Sequence, residues 1–390
     1  MSSSPPAAPA GFIEWCPAER VIHSAEQVDR IVAAGGSLRA CVLQAVDLRQ
    51  ADPAWRERSL EGSVLLGCRY ASDRDEELAR RRGALVFPRL DPLPYDPYRS
   101  RLYTWQELME GWSAEADRSR DLRIYRHFVD AGRHLPPLKE ALAQRIHDHA
   151  IDVALRAFLG YGDDGLPGKR AVGIMGGHAT LRTDPWFRRV ARLARRLTRA
   201  GYLVVTGGGP GVMEAGNLGA YLSELEEDEL EREIETLAAA PGYADPGYVE
   251  LARALVERRP AGRESLAVPT WFYGHEPSNL FATAIAKYFS NSLREDGLLA
   301  LSVYGVVFAP GSAGTTQEIF IDAVQNHYGT FGVRSPMVFL GRNRYEVEAP
   351  IAPLVKNLAR GRYEEWIGVF DRPEEAVEFI ESHPPAPVAT

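Results

Sequence analysis

The stretch VYGVVFAPGSAGTTQEIFIDAVQNHYG fills residues 303–329. Its first third is an apolar run of strand character, and its last half carries a helical pattern with a carboxylate, Glu318, near the start. Between them lie residues too small to shield the backbone, so their N–H groups stay open to whatever must come close. The opening turn of a helix favours an anion, so this junction reads as a phosphate cradle. Two other junctions share the design: IMGGHAT at 174–180 and TGGGPGVMEAGN at 206–217. One glycine turn could serve the backbone alone, but three at strand ends in one sheet suggest a ligand site.

Working outward, strand and helix alternate from about residue 168 to 384: RAVGIMGG, DPWFRRVARLARRLTRAG, YLVVTGGG, GVMEAGNLGAYL, SLAVPTWF, NLFATAIAKYFSNSLRED, the stretch above, PMVFLG, WIGVFD and PEEAVEFIES. Such alternation predicts an α/β fold with a Rossmann-like, doubly wound parallel sheet, whose ligands sit outside the carboxyl ends of the strands. An insertion at 223–264 carries SELEEDELEREIETL, read as the solvated face of a surface helix. Residues 11–160 read as a smaller N-terminal α/β domain followed by connecting helices, one opened by a capping box of Thr104 and Glu107. The polar GYGDDGLPGK at 160–169 marks the boundary, and residues 1–10 read as a disordered tail.

At 390 residues the chain has room for two cores, and its net charge of −8 argues against nucleic acid held by bulk charge. No apolar stretch approaches a membrane span, and the start has no basic segment leading into an apolar one. Cys16, Cys41 and Cys68 lack metal-ligand spacing and cannot all pair within one chain, which fits a reducing, cytoplasmic setting. His147 and His149, two apart on a helix, diverge and form no metal pair. Neither a metal nor a redox cofactor is expected.

The turn GGGPG is not the dinucleotide fingerprint, since Pro210 breaks the spacing, and no lysine follows either glycine turn as a Walker loop requires. Instead, GGGPGVMEA followed two strands later by PGSAGTTQE resembles the LOG family, over roughly residues 168–345. That family's hallmark is a PGGxGTxxE turn, and its members include cytokinin-activating and nucleotide 5′-monophosphate phosphoribohydrolases. Some were once labelled lysine decarboxylases. Pyridoxal chemistry needs a Schiff-base lysine, and the lysine near these motifs, Lys287, falls in the middle of an expected helix.

The resemblance implies that Gly311, Ser312, Ala313, Gly314 and Thr315 hold the phosphate and that Glu318 is the catalytic carboxylate. Ser312 stands where the family has its second glycine, keeping the N–H and adding a hydroxyl. Glu214 and Asn217 would face the ribose or base, and Gly176, Gly177, Gly208 and Gly209 complete the expected substrate site. The family's arginine, some fifteen residues before the motif proline, falls on Glu295 here, so a one-residue shift assigns Arg294. His178 and His275 are weighed as turn residues against ligand contacts, and Trp271, Phe272 and Tyr273 as core and pocket wall.

The expected reaction is hydrolysis of the N-glycosidic bond of a nucleoside 5′-monophosphate to free base and ribose 5-phosphate. A carboxylate beneath the sugar suits the positive charge that develops there. The rivals are a non-catalytic nucleotide carrier on the same fold and a regulatory protein acting through residues 12–150. The family's assembly habit implies a homodimer or larger homo-oligomer, with NLFATAIAKYF as a candidate contact helix.

Overall fold

A computed structural model describes residues 20–162 and 165–388; the expected tail at 1–10, and Cys16, lie outside them. The chain divides into two compact units. One takes 129–155 and the described part of 14–102, and the other takes 103–128 and the rest from 156 onward. Residues 103–128, expected in the N-terminal domain, therefore belong to the larger unit.

The smaller unit is built on β1 (Arg20–Ile22), α1 (Ala25–Ala33), β2 (Cys41–Gln44), β3 (Val64–Leu66), α2 (Asp73–Arg81) and β4 (Leu85–Phe87). Its strands pair in parallel in the order β1-β2-β3-β4. Ser24 caps α1 in a reciprocal box with Gln27, and Val28, Ile31 and Val32 bury the inner face of that helix. Three helices follow: α3 (Trp105–Leu108), α4 (Arg120–Asp130) and α5 (Leu138–Leu159). The Thr104 hydroxyl accepts the Glu107 N–H at 3.3 Å, as the capping pattern expects.

The larger unit follows the expected alternation: β5 (Ala171–Met175), α6 (Pro185–Arg199), β6 (Leu203–Thr206), α7 (Val212–Tyr221), α8 (Glu227–Leu237), α9 (Tyr248–Arg258), β7 (Ser265–Ala267), β8 (Ala284–Ile285), α10 (Asn291–Leu301), β9 (Val306–Phe308) and α11 (Ala313–Tyr328). A two-stranded antiparallel ribbon pairs β10 (Val333–Arg334) with chain beyond the main sheet. Then come β11 (Met337–Leu340), α12 (Ile351–Ala359), β12 (Ile367–Phe370) and α13 (Pro373–Ser382). Strands β5, β6, β9 and β11 are buried along their whole length, the mark of a parallel sheet covered on both faces. Each buried Val, Leu or Phe contributes about 1.5–3 kcal/mol, so these runs hold the strand ends rigidly in place.

All seven strands run parallel in the order β12-β11-β9-β5-β6-β7-β8, a Rossmann-like doubly wound sheet. The chain winds outward from β5 to β8 and then returns to lay β9 against the other side of β5. The switch in strand order therefore lies between β5 and β9, whose ends carry two of the three small-residue turns.

Two expectations fail. Residues 279–290 are not helical: they form an irregular segment of turns and bends around the short strand β8, and α10 begins only at Asn291. Mostly apolar and largely enclosed, the run fits a buried strand as well as a helix, and periodicity does not separate them. Its residues Leu280, Phe281 and Ala282 are buried in the sheet's own unit, so they offer no contact to a second copy. The acidic insertion does present carboxylates outward, yet Leu230, Ile234 and Leu237 anchor α8 in the main core. Glu231 also pairs with Arg188 and Arg192 of α6.

Candidate functional site

The three turns are tied to one another by main-chain hydrogen bonds. Gly177 N–H donates to the Pro310 carbonyl at 3.0 Å, and Val212 N–H donates to the Gly177 carbonyl at 3.1 Å. Around this junction opens a cavity of about 520 Å³, within the range of small-molecule sites. Gly176, Gly177, Gly208, Gly209, Ser312, Ala313, Gly314, Thr315, Arg294 and Glu318 all line it.

The turn after β9 owes its shape to absent side chains and to braces from behind. A Cβ on Gly311 would collide with the Thr315 side chain, so glycine there lets Thr315 fold back over the turn. Gly311 itself is not on the cavity wall; its carbonyl accepts from Arg344 Nη2 at 2.9 Å, while the Tyr345 hydroxyl donates to the Ala309 carbonyl at 2.7 Å. Ser312 stands at the N-cap of α11 without capping it through its side chain. The first N–H groups of α11 have no partners within the helix and border the cavity, as an anion site requires.

Glu318 sits one turn into α11, 9% exposed. Burial pushes its carboxyl up to about 7; Arg294 opposes the shift and Glu295 adds to it. Arg294 reaches in from α10. Its Nε donates to the Val268 carbonyl at 2.8 Å, and its Nη1 lies 3.9 Å from Glu318 Oε1 and 3.8 Å from Glu295 Oε1. Gly207 leaves room for this arm, since a Cβ there would strike the guanidinium. One guanidinium thus faces two carboxylates at the cavity wall. The arginine, 3.9 Å away, does not fully offset the cost of burying Glu318's charge.

Both residues left open by the one-residue ambiguity, Arg294 and Glu295, line the cavity. Gln317 Nε2 donates to Glu295 Oε2 at 2.7 Å, and the Tyr273 hydroxyl approaches Glu295 Oε1 at 3.4 Å. Glu276 also lines the cavity, beside Gly209. Gln317 is signalled in the sequence by its place next to Glu318, whereas Glu276 has no motif around it. Of the histidines, His178 borders the cavity, but His275 turns to Asp117, 3.1 Å away.

Glu214 and Asn217 correct the sequence expectation, because neither reaches the cavity wall. Arg182 clamps Glu214 with two bonds of 3.1 and 2.5 Å, and the Tyr248 hydroxyl adds a third at 2.7 Å. Arg182 in turn lies 3.5 Å from the Tyr248 ring centroid and donates to carbonyls of Leu237, Ala240 and Tyr248. Asn217 bonds Thr206, Ser265 and Asn279 behind the turn. These two residues hold α7 and the insertion to the sheet.

Lys287 is a second correction. It is not in a helix; it follows β8 onto the cavity wall, 4% exposed, with Nζ 2.8 and 2.9 Å from the two oxygens of Asp121.

No family model and no curated protein matches the sequence. Among solved structures the chain is similar to a structural-genomics target, TM1055, at 20% identity, 55% of this chain against 99% of that one and a TM-score of 0.36. It is also similar to the molybdenum cofactor binding protein of the phototrophic bacterium Rippkaea orientalis (16% identity, 55% against 96%, TM-score 0.35). A third is the molybdenum cofactor carrier protein of Chlamydomonas reinhardtii (17% identity, 55% against 97%, TM-score 0.36). The Rossmann-like architecture of this chain rests on its own strand order and parallel pairing.

Proposed function

We propose that the larger unit hydrolyses the N-glycosidic bond of a nucleoside 5′-monophosphate, releasing free base and ribose 5-phosphate, as LOG-type phosphoribohydrolases do. The observation that carries this reading is Glu318: a buried carboxylate on a cavity wall, one turn beyond a cradle of open N–H groups, with its pKa raised to about 7. A pure binding site gains nothing from a costly buried acid beside its phosphate turn, whereas a reaction that builds positive charge does.

In this reading the 5′-phosphate rests on residues 312–315 at the start of α11, and the ribose lies over Glu318. As the bond to the base breaks, the ionised Glu318 stabilises the oxocarbenium-like sugar and orients a water that adds its hydroxyl at C1′. The bonding electrons leave with the base, which takes the water's proton directly or through solvent. Arg294 keeps Glu318 and Glu295 in place and supplies positive charge beside the phosphate end. Glu295 and Glu276 are placed to accept ribose hydroxyls.

The test is an assay of nucleoside monophosphates and the matching nucleosides, with free base read by chromatography and affinity by calorimetry. The expected result is release of base from monophosphates, bound at least about tenfold more tightly than nucleosides, a difference of 1.4 kcal/mol. Tight monophosphate binding with no base released would make the protein a carrier, and equal affinities would remove the cradle from the account.

A further inference from the structure

Asp121 and Lys287 are an ion pair buried beneath the cavity wall, 166 residues apart in sequence. Asp121 also accepts the Trp271 indole N–H at 2.6 Å and the Ser278 hydroxyl at 2.9 Å, so its two oxygens are fully engaged. Nothing in the phosphate or sugar chemistry above uses this cluster. Asp121 is needed to receive Trp271 and Ser278, but a buried ammonium is costly, so the presence of Lys287 on a ligand cavity calls for a role.

Lys287 has three N–H bonds to give. Two of them go to the Asp121 oxygens, and the ammonium lies 5.2 Å from the Trp271 ring centroid, so at most one N–H is left for the cavity that Lys287 lines. The neighbouring donors are spent: the Ser278 hydroxyl on Asp121, and Asn279 Nδ2 on Asn217 and the Met213 carbonyl. Leu108, Ile285 and Pro277 supply apolar wall around the same end. Lys287 follows β8 at the sheet edge, and β7, β6 and β5 separate β8 from β9, which carries the phosphate turn. Arg294 links the two ends, reaching from Glu318 to the Val268 carbonyl just after β7, the strand beside β8; with the ribose over Glu318, as in the reading above, the base falls on the side of the cavity that Lys287 lines.

We infer that Lys287 is a specificity-determining residue whose ammonium, fixed by Asp121, selects a base with a carbonyl oxygen at purine C6 or pyrimidine C4, as in hypoxanthine, guanine and uracil, over one with an amino group at that position, as in adenine and cytosine. This rests on the nucleotide reading above. A cationic donor meets an oxygen acceptor favourably and faces an amino group donor to donor, the discrimination that lysine makes at the O6 edge of guanine. The same contact assists departure. When the glycosidic bond breaks, the electron pair left on the base spreads onto the carbonyl oxygen, and the ammonium stabilises it there until water supplies the proton.

The experiment measures kcat/KM for IMP, GMP and UMP against AMP and CMP. It uses wild-type protein, Lys287→Met, and the double variant Asp121→Asn/Lys287→Met, which removes both charges and so orphans neither. Wild type is expected to favour the oxo bases by about tenfold or more, and the variants to bring that ratio within a few-fold of one by losing activity on oxo substrates. A wild-type preference for AMP or CMP, or a ratio unchanged in the folded double variant, overturns the inference. If Lys287→Met does not fold, the wild-type ratio and the double variant decide. If wild type releases no base from any nucleotide, it is the hydrolase reading that fails, and the same ratio taken from calorimetric affinities then decides for Lys287.

Discussion

The turns after β6 and after β9 are close copies in sequence: glycines, then a helix with a glutamate near its start, Glu214 in one and Glu318 in the other. Both glutamates are buried and both face an arginine. The difference lies in the arginine's distance and in what else arrives. Glu214 receives two bonds from Arg182 and one from Tyr248, so its charge is satisfied and it fastens the insertion to the sheet. Among the described residues Glu318 receives an arginine at 3.9 Å and shares that guanidinium with a neighbouring carboxylate, so burial keeps its charge costly and raises its pKa. A satisfied acid holds the fold, and an unsatisfied one at a cavity is available for chemistry.

That contrast breaks first at Glu214. Glu214→Gln leaves the Arg182 guanidinium buried without its counter-charge, at a cost of about 3 kcal/mol or more in unfolding free energy. Turnover per folded molecule should stay near wild type. Denaturant unfolding read beside activity checks this, and a stable variant with lost activity would put Glu214 back in the site.

Next in size is the pH dependence of kcat/KM. If ionised Glu318 acts on the sugar, the rate should fall about tenfold per pH unit below 7, the value to which burial raises its carboxyl, and level off above it. A profile that falls above pH 7 instead would make Glu318 the acid that protonates the base.

Stability supplies a smaller effect with a definite sign. The folded carboxyl titrates near 7 against a reference of 4.5, so the native state holds more protons between those values and loses stability as pH rises through that window. Glu318→Gln removes that loss and should stabilise the protein above pH 7, on the order of 2 kcal/mol, with no gain below pH 4.5. Equal stabilities at pH 8 would show that the acid is not strained. Smallest of all, Ser312→Gly should change monophosphate affinity by no more than about threefold, within 1 kcal/mol, since the backbone N–H is retained.

Much of this was legible because parallel strands advertise themselves. The buried runs and the three small-residue turns follow from local pattern, and the structure brings Gly176, Gly177, Gly208, Gly209 and residues 312–315 to one cavity; which strands flank the switch, β5 and β9, comes from pairing that local pattern does not carry. What local pattern cannot carry is where a side chain finds its partner. Glu214 looked like a ligand residue because Arg182 and Tyr248 come to it from 32 and 34 residues away. Lys287 reads as mid-helix because the mostly apolar, enclosed run that carries it imitates a helix, and Asp121, its partner, is remote in sequence. Arg294 and Glu295 are ambiguous in register, and both line the cavity.

The central claim is that Glu318 stabilises charge that appears only as the glycosidic bond breaks. It is tested most directly by measuring, on one preparation each of wild type and Glu318→Gln at pH 8, both nucleotide affinity and the rate of base release. The account predicts affinities within a few-fold of each other and turnover lowered by about 10² or more in the variant. A Glu318→Gln protein that releases base as fast as wild type would contradict it.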